Sequence, residues 1–143
     1  MRGVTLLELL IVLMLMALVA SMTVPLLSGG MSSSELKGAA REVAAGLRYA
    51  RSDAVATRRE TRLVFDLEQR TFNIDRDPRL HRLPKQVEMK LFTAQSDLID
   101  DKTGAIRFFP DGGSNGGRVT LAAGERKYNV DIDWLTGRVA ILD

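Results

Sequence analysis

The chain has 143 residues, with 20 basic and 18 acidic side chains, a net charge of +2 and no cysteine. The balanced charge does not favour nucleic-acid binding, and the lack of cysteine excludes disulfides, thiolate metal sites and a cysteine nucleophile. Outside an apolar stretch at the start of the chain, about 115 residues remain, enough for one small domain with its own core.

The first predicted element is a long apolar helix over residues 4–27. Of these 24 residues, 19 are Ala, Val, Ile, Leu or Met, and Glu8 is the only charged side chain. A helix of this length extends about 36 Å, which is enough to cross a bilayer. A carboxylate within a membrane helix is costly, so Glu8 requires an explanation of its own.

Composition alone leaves two interpretations of this apolar segment open. One is a cleaved secretory signal peptide, in which Arg2 supplies the basic start and residues 19–21 the small side chains before the cut. The other is a membrane anchor with Arg2 on the cytoplasmic side and the following domain on the opposite side. Neither interpretation gives Glu8 a role.

The arrangement of Gly3, a four-residue gap, Glu8 and an uninterrupted apolar helix resembles the class III signal of type IV pilins and type II secretion pseudopilins. The resemblance implies that prepilin peptidase removes residues 1–3 as a leader by cutting between Gly3 and Val4. It also implies N-methylation of Val4, an assembly role for Glu8 and a helix kink at Pro25. Val4 stands where the family usually has Phe.

An electrostatic role for Glu8 follows from the predicted cleavage. The new amine of Val4 would be a cation about one helical turn from Glu8. In a helical assembly the Glu8 carboxylate could pair instead with the amine of an adjacent subunit, which would relieve two buried charges together and disfavour a wrong register. A competing interpretation places Glu8 in the lipid headgroup region, facing water.

A polar linker over residues 28–34 and an amphipathic helix over residues 35–57 are predicted next. Ser34 is the expected N-cap of this helix, with Glu35 in its first turn. Apolar side chains recur at intervals of three and four, at Leu36, Ala40, Val43, Leu47, Ala50 and Ala54. This face is expected to pack on a sheet. The arginines on the other faces are interleaved with acids, which does not favour a phosphate-binding stripe.

The rest of the chain predicts about seven short strands separated by turns. The predicted strands are residues 61–67, 71–75, 86–93, 104–109, 118–122, 127–134 and 138–142. The first two form a hairpin, residues 80–84 are a connection, and residues 112–117 are a flexible hairpin loop. The predicted fold class is α+β, with a long amino-terminal helix packed on an antiparallel β-sheet domain.

The residues that could carry catalytic chemistry predict no enzyme, no cofactor and no metal site. The glycine-rich residues 112–117 lack the Lys-Ser/Thr pair and the following helix of a phosphate-binding loop. His81 is the only histidine and, without cysteine, does not complete a zinc site or a catalytic triad in the usual way.

The strand predicted over residues 127–134 contains the remaining candidate metal ligands, Asp131 and Asp133. Both are expected on its solvated face, and the core face is expected to hold Val130, Ile132 and Trp134. A calcium site would need further oxygen ligands from other segments, so a solvated strand face is preferred.

The carboxyl-terminal half adds a second resemblance. Residues 47–54, 109–114 and 132–139 are similar to the H-type minor pseudopilins of the type II secretion system, within the GspH/FimT-like pilin family. The resemblance implies a single-pass inner-membrane protein with a cytoplasmic amino terminus and a periplasmic domain over residues 35–143, built as a β-sandwich or a pair of sheets. Its implied partners are other minor pseudopilins and the major pseudopilin, with which it forms the tip of a pseudopilus.

A type IV pilus minor pilin, acting in pilus biogenesis or DNA uptake, is the alternative function. Related pilins that bind DNA carry a basic Gly-Arg-x-Arg tail, whereas residues 137–140 read Gly-Arg-Val-Ala and lack the second Arg. The predicted function is therefore export of folded proteins across the outer membrane, and nucleic acid is not a predicted partner. A membrane-anchored periplasmic enzyme is a third hypothesis, which predicts catalytic turnover and indifference to changes at Glu8.

Overall fold

A computed structural model of the chain describes residues 3–27, 30–94 and 97–143. The chain divides into two compact units, Met1–Gly30 and Met31–Asp143. The side chains of residues 22–27 lie outside the described part, and so do leader residues 1–2 and linker residues 28–29.

The amino-terminal unit contains one helix, α1 (Leu6–Leu27). Thr5 caps its start, because the Glu8 amide donates to the Thr5 hydroxyl at 3.2 Å and the Leu9 amide donates to the Thr5 carbonyl at 3.1 Å. The large apolar side chains from residue 6 to residue 19 are exposed on every face of the helix.

The predicted membrane span over residues 4–27 overlaps α1 and stays a prediction. Among the residues with described side chains, no helix combines the length and hydropathy that a membrane crossing requires. The predicted kink at Pro25 falls on a residue whose side chain is outside the described part.

The second helix, α2 (Ser33–Thr57), begins with a capping box. The Ser32 hydroxyl accepts from the Glu35 amide at 3.1 Å, and the Glu35 carboxylate accepts from the Ser32 amide at 3.0 Å. The predicted N-cap at Ser34 was wrong. Of the three consecutive serines, only Ser32 has a glutamate three residues later, which is the spacing that a capping box requires.

The apolar face of α2 is buried as the sequence pattern predicts. All six residues of this face are at most 1% exposed: Leu36, Ala40, Val43, Leu47, Ala50 and Ala54. Small side chains allow a close approach to the sheets, since a Cβ atom at Gly46 would lie only 2.8 Å from the ring of Phe72.

Eight strands follow α2 within the described residues. They are β1 (Thr61–Asp66), β2 (Thr71–Ile74), β3 (Leu80–Arg82), β4 (Glu88–Phe92), β5 (Thr103–Phe108), β6 (Gly117–Ala123), β7 (Arg126–Ile132) and β8 (Val139–Leu142). They form two antiparallel four-stranded sheets, in the orders β3-β2-β1-β5 and β4-β6-β7-β8. Helix α2 packs against both sheets and shares one core with them. The predicted α+β class and the β1–β2 hairpin are confirmed.

Two predicted connections were wrong. Residues 80–84 contain β3, which pairs with β2 and places His81 opposite Phe72. Residues 112–117 are not a hairpin loop, because β5 belongs to the first sheet and β6 to the second. They form a largely buried crossover, in which the Ser114 hydroxyl donates to the Arg107 carbonyl at 2.6 Å. Local turn residues do not reveal which sheet a strand joins, because strand pairing is non-local.

The predicted position of Trp134 in the core was also wrong. Val130 and Ile132 are buried, but Trp134 is 67% exposed. Strand β7 ends at Ile132 because the Asp133 carboxylate accepts from the amides of Leu135 and Thr136, both at 2.9 Å, and so forms a tight turn. The turn directs Trp134 away from the core face of the sheet.

Candidate functional site

The predicted processing site lies immediately before α1. Gly3 and Val4 are outside the helix, and both are exposed. An exposed, non-helical peptide is accessible to a peptidase. Cleavage after Gly3 and methylation of Val4 stay predictions, since the geometry shows accessibility and not processing.

Glu8 occupies the third position of α1 and its side chain is exposed. An acid in the first turn of a helix interacts favourably with the partial positive charge of the helix start. Glu8 therefore has a local stabilising role within its own chain. Its predicted pairing with the amine of an adjacent subunit stays a prediction.

In the domain, the three segments that resemble H-type minor pseudopilins meet around Arg51 of α2. The Arg51 Nε atom donates to the carbonyls of Gly112 at 3.0 Å and Thr136 at 3.1 Å. One turn earlier, Arg48 Nη2 donates to the Val139 carbonyl at 3.2 Å. These residues join the helix to the crossover and to the β7–β8 turn, so their role is to build the domain.

Gly137 is required at this junction. Its φ of 68° is in the left-handed region, and a Cβ atom there would lie 2.0 Å from the Gly112 carbonyl oxygen and 2.9 Å from Arg51 Nε. No side chain fits this space, and glycine alone adopts this conformation at little cost.

The turn over residues 133–138 is held by hydrogen bonds on several sides. The Gly137 amide donates to the Asp133 carbonyl at 2.9 Å, and the Ser114 amide donates to the Trp134 carbonyl at 2.9 Å. Hydrogen bonding to the Asp133 carboxylate, first from the Thr136 amide, lowers the pKa of Asp133. The turn presents Trp134 and Leu135, each 67% exposed.

An open groove of about 830 Å³ crosses the outer face of the second sheet beside this turn. Phe92, Arg118, Asp131 and Ala140 are register partners across its four strands. Arg118 Nη2 donates to Asp131 Oδ2 at 2.9 Å, and this contact raises the pKa of Arg118. The exposed aromatic side chains of Phe92 and Trp134 both line the groove.

A second, smaller cavity of about 380 Å³ lies on the other side of the turn. Arg48, Arg51 and Arg138 line it, and no carboxylate side chain does so within the described part of the chain. None of these three arginines forms an ion pair with another described residue. Arg138 lines both cavities, so it connects the cationic cavity to the groove.

The residues considered as metal ligands have other partners. His81 Nδ1 lies 3.4 Å from Glu42 Oε1, and the His81 ring stacks on Phe72 with centroids 4.7 Å apart. Asp131 pairs with Arg118 and Asp133 caps its turn. Within residues 3–27, 30–94 and 97–143, no group of three or more His, Asp or Glu could hold a metal ion.

Sequence reasoning missed Trp134, Leu135 and Arg138 as surface features, and it placed Arg48 on an outer face of α2 without bringing it together with Arg138. The signal that could have revealed the turn is the Asp-x-Leu-Thr-Gly pattern of residues 133–137, in which an aspartate precedes a glycine that adopts positive φ. The exposure of the side chains and the clustering of the arginines require the folded chain.

An apolar helix exposed on every face, followed by a helix packed on two antiparallel sheets, defines a pilin-like subunit. The family model for the type II transport protein GspH matches residues 39–136. The chain is also 37% identical over 140 residues to the type II secretion system protein H of Xanthomonas campestris pv. campestris, covering 96% of this chain and 81% of that protein. The chain therefore belongs to the GspH family, which confirms the predicted H-type minor pseudopilin resemblance.

Solved structures share the fold at low sequence identity. The type IV minor pilin FimU of Pseudomonas aeruginosa matches with a TM-score of 0.61 and 19% identity, over 77% of this chain and 90% of that one. The minor pseudopilin EpsH of Vibrio cholerae matches with a TM-score of 0.60 and 11% identity, over 76% and 95% respectively. Since a pilin and a pseudopilin match equally well, these structures show the fold alone.

Proposed function

We propose that this chain is a minor pseudopilin of the type II secretion system, a structural subunit of the pseudopilus tip that helps export folded proteins across the outer membrane. The proposal rests on the similarity to a secretion-system protein H over nearly the whole chain. The matched region, residues 39–136, includes Arg51, Gly112 and Thr136, whose hydrogen bonds join α2 to the crossover and to the β7–β8 turn.

The amino-terminal segment supplies the anchor and the filament core in this proposal. Prepilin peptidase cuts after Gly3 and methylates Val4, and residues 4–27 then hold the subunit in the inner membrane with its amino terminus cytoplasmic. The exposure of apolar side chains on every face of α1 supports this step, because such a surface requires lipid or other helices to cover it.

Glu8 acts as the assembly contact of the filament. When the subunit leaves the bilayer, its carboxylate pairs with the methylated amine of an adjacent subunit. An unpaired charge buried among apolar helices is costly, so only the register that forms this pair is stable. The other minor pseudopilins and the major pseudopilin are the partners.

The domain over residues 35–143 is periplasmic and its role is organisational. The charged side chains that were considered for chemistry already have partners in the domain. His81 lies against Glu42, Asp131 pairs with Arg118, and Asp133 accepts a hydrogen bond from the Leu135 amide. The domain docks on neighbouring subunits and performs no catalysis.

Deletion of the gene in its source organism tests the function directly. We expect folded exoproteins to accumulate in the periplasm, and the wild-type gene to restore their release into the medium. The E8A variant is expected to insert in the membrane. Cells that carry it should release less exoprotein than wild-type cells, by a factor of at least about ten, because the buried pair is lost.

The S21A variant is the matched control for E8A, because Ser21 is another polar residue of α1 and its hydroxyl donates within the helix, to the Leu18 carbonyl at 2.7 Å. S21A is expected to restore secretion fully. Normal secretion by the deletion strain, combined with lost piliation or DNA uptake, would contradict the proposal and favour the type IV pilus alternative.

A further inference from the structure

The β7–β8 turn exposes Trp134 and Leu135, two large apolar side chains, at adjacent positions. Water contact with such side chains is unfavourable, and tryptophan is among the residues most enriched at the energetic centres of protein interfaces.

The backbone that presents these two side chains is fixed before any partner arrives. Trp134 and Thr136 offer carbonyls to the Ser114 amide and to Arg51 Nε, and the Asp133 carboxylate accepts from the amides of Leu135 and Thr136. A rigid presentation lowers the entropy that is lost on binding. The turn is therefore organised as an anchor and not as a loose loop.

The charges around the turn specify what can bind it. The cavity lined by Arg48, Arg51 and Arg138 holds three guanidinium groups and, among the described residues, no carboxylate. Arg51 is committed to the Gly112 and Thr136 carbonyls, whereas Arg138 is exposed and makes no side-chain hydrogen bond to another described residue. The Asp133 carboxylate interacts with Arg138 electrostatically, but it accepts hydrogen bonds from the amides of the turn, so the guanidinium groups of the cavity can still pair with an acidic group of a partner.

We propose that the turn over residues 133–138, together with Arg48 and Arg138, is a docking site for an acidic and apolar segment of another pseudopilin subunit. An apolar side chain of the partner packs against Trp134 and Leu135. A carboxylate of the same segment pairs with the guanidinium groups of Arg48 and Arg138. This inference rests on the proposed function and adds the surface and the chemistry of the partner.

Rigidity favours a fixed subunit over exported cargo as the occupant. Surfaces that accept many different partners use flexible, methionine-rich or loop-rich segments that repack. The hydrogen-bonded turn offers one geometry, which fits a partner whose sequence does not change from one secretion event to the next.

Co-purification from cells that express the full-length chain with the other minor pseudopilins of the same secretion system tests the site. Each partner subunit carries the affinity tag in turn, and the chain recovered with it from detergent extracts is quantified. L135A is expected to lower recovery by about tenfold, because it removes part of the apolar contact. R138Q is expected to lower recovery by about fivefold, because it removes the positive charge that pairs with the partner's carboxylate but introduces no repulsive charge.

The controls are L80A and R82Q, on the exposed edge strand β3 of the other sheet. Both controls are expected to leave recovery within about twofold of wild type. Thermal unfolding of all four variants should match wild type, because the substituted side chains are exposed. An aspartate or glutamate of the partner changed to arginine together with R138E should restore recovery.

Wild-type recovery of L135A and R138Q would overturn the docking site, and so would equal losses in the controls. Reduced self-association or reduced binding of exported protein, with subunit recovery intact, would also overturn it in favour of those occupants. These outcomes are separate from failure of the proposed function, which is judged by secretion in the deletion strain. If deletion abolishes secretion but L135A and R138Q still dock normally, the proposed function is retained and the docking site is rejected.

Discussion

The two helices of this chain are similar in length and opposite in burial. Helix α1 has 22 residues and exposes the large apolar side chains of residues 6–19 on every face, whereas α2 has 25 residues and buries one apolar face completely. Each large apolar side chain that is fully buried contributes about 1.5–3 kcal/mol to folding. The chain obtains this stabilisation from α2 and leaves the apolar surface of α1 for partners outside itself.

The difference explains why one chain can fold as a domain and also assemble. The domain forms a compact unit of its own, because α2 and the two sheets share a core that contains no residue of α1 among those with described side chains. Helix α1 is then free to be covered first by lipid and later by the helices of other subunits, as the proposed function requires.

Truncation of a leucine in each helix should give the largest contrast. L47A removes a fully buried side chain of α2 and is expected to lower the free energy of unfolding by about 3 kcal/mol. L10A removes a side chain that is 58% exposed in α1, so it should change this free energy by less than about 0.5 kcal/mol. Urea unfolding of the detergent-solubilised chain, followed by circular dichroism, measures both. Equal losses of unfolding free energy in L47A and L10A would contradict the difference in burial between the two helices.

The attachment of α2 to the β7–β8 turn gives a second, smaller effect. G137A is expected to lose about 2–3 kcal/mol, because its Cβ atom would meet the Gly112 carbonyl at a positive-φ position. Gly124 also has positive φ, 63°, but open space around it, so G124A should lose only about 1 kcal/mol. Thermal melts of the two variants separate the cost of the clash from the cost of the backbone. Identical melts would show that α2 does not depend on this junction.

The carboxyl-terminal end of α2 supplies the smallest effect, and it depends on pH. The Asp53 carboxylate accepts from the Thr61 hydroxyl at 2.8 Å and pairs with Arg76 at 2.6 Å. These contacts, that with Thr61 first, lower the pKa of Asp53 from its usual value of 3.8. A carboxyl with a lowered pKa in the folded state stabilises the fold above its usual pKa, and this contribution is lost as the pH falls below about 4.

D53N should therefore be less stable than wild type by about 1 kcal/mol at pH 7, and the difference should shrink below pH 4. D101N is the matched control, since Asp101 is exposed and its side chain makes no hydrogen bond or ion pair to another described residue. Urea unfolding at pH 7, 5 and 3 measures all three proteins. A difference between wild type and D53N that stays constant with pH would refute the role of the ionised carboxylate.

The periodic parts of the fold could be predicted from the sequence, and the parts that depend on distant pairing could not. The repeat of apolar side chains from Leu36 to Ala54 defined the buried face of α2 because helix geometry alone fixes which residues share a face. Strand β3 was missed because its three residues, Leu-His-Arg, include a single apolar side chain and are too few to show an alternation of apolar and polar residues. The crossover over residues 112–117 was mistaken for a hairpin loop because its glycines indicate a turn whichever sheet follows.

The functional residues divide in the same way. Gly3, Val4 and Glu8 were proposed from a linear motif, which needs no knowledge of the fold. Trp134 was placed in the core because alternation was extended past Ile132, although the Asp133 carboxylate ends the strand there. The cationic cavity is lined by arginines of α2 and of the β7–β8 turn. Arg48 and Val139, which are hydrogen-bonded beside it, are 91 residues apart in the sequence, so no local pattern predicts the cavity.

Mass spectrometry of the mature amino terminus tests the central claim most directly. The chain purified from membranes of its source organism should begin at N-methylated Val4, because the proposed leader ends at Gly3 and the proposed function requires α1 to enter the pseudopilus intact. A terminus near Ser21 or Met22 would identify a cleaved signal peptide and would contradict the account, since most of α1 would then be absent from the mature protein.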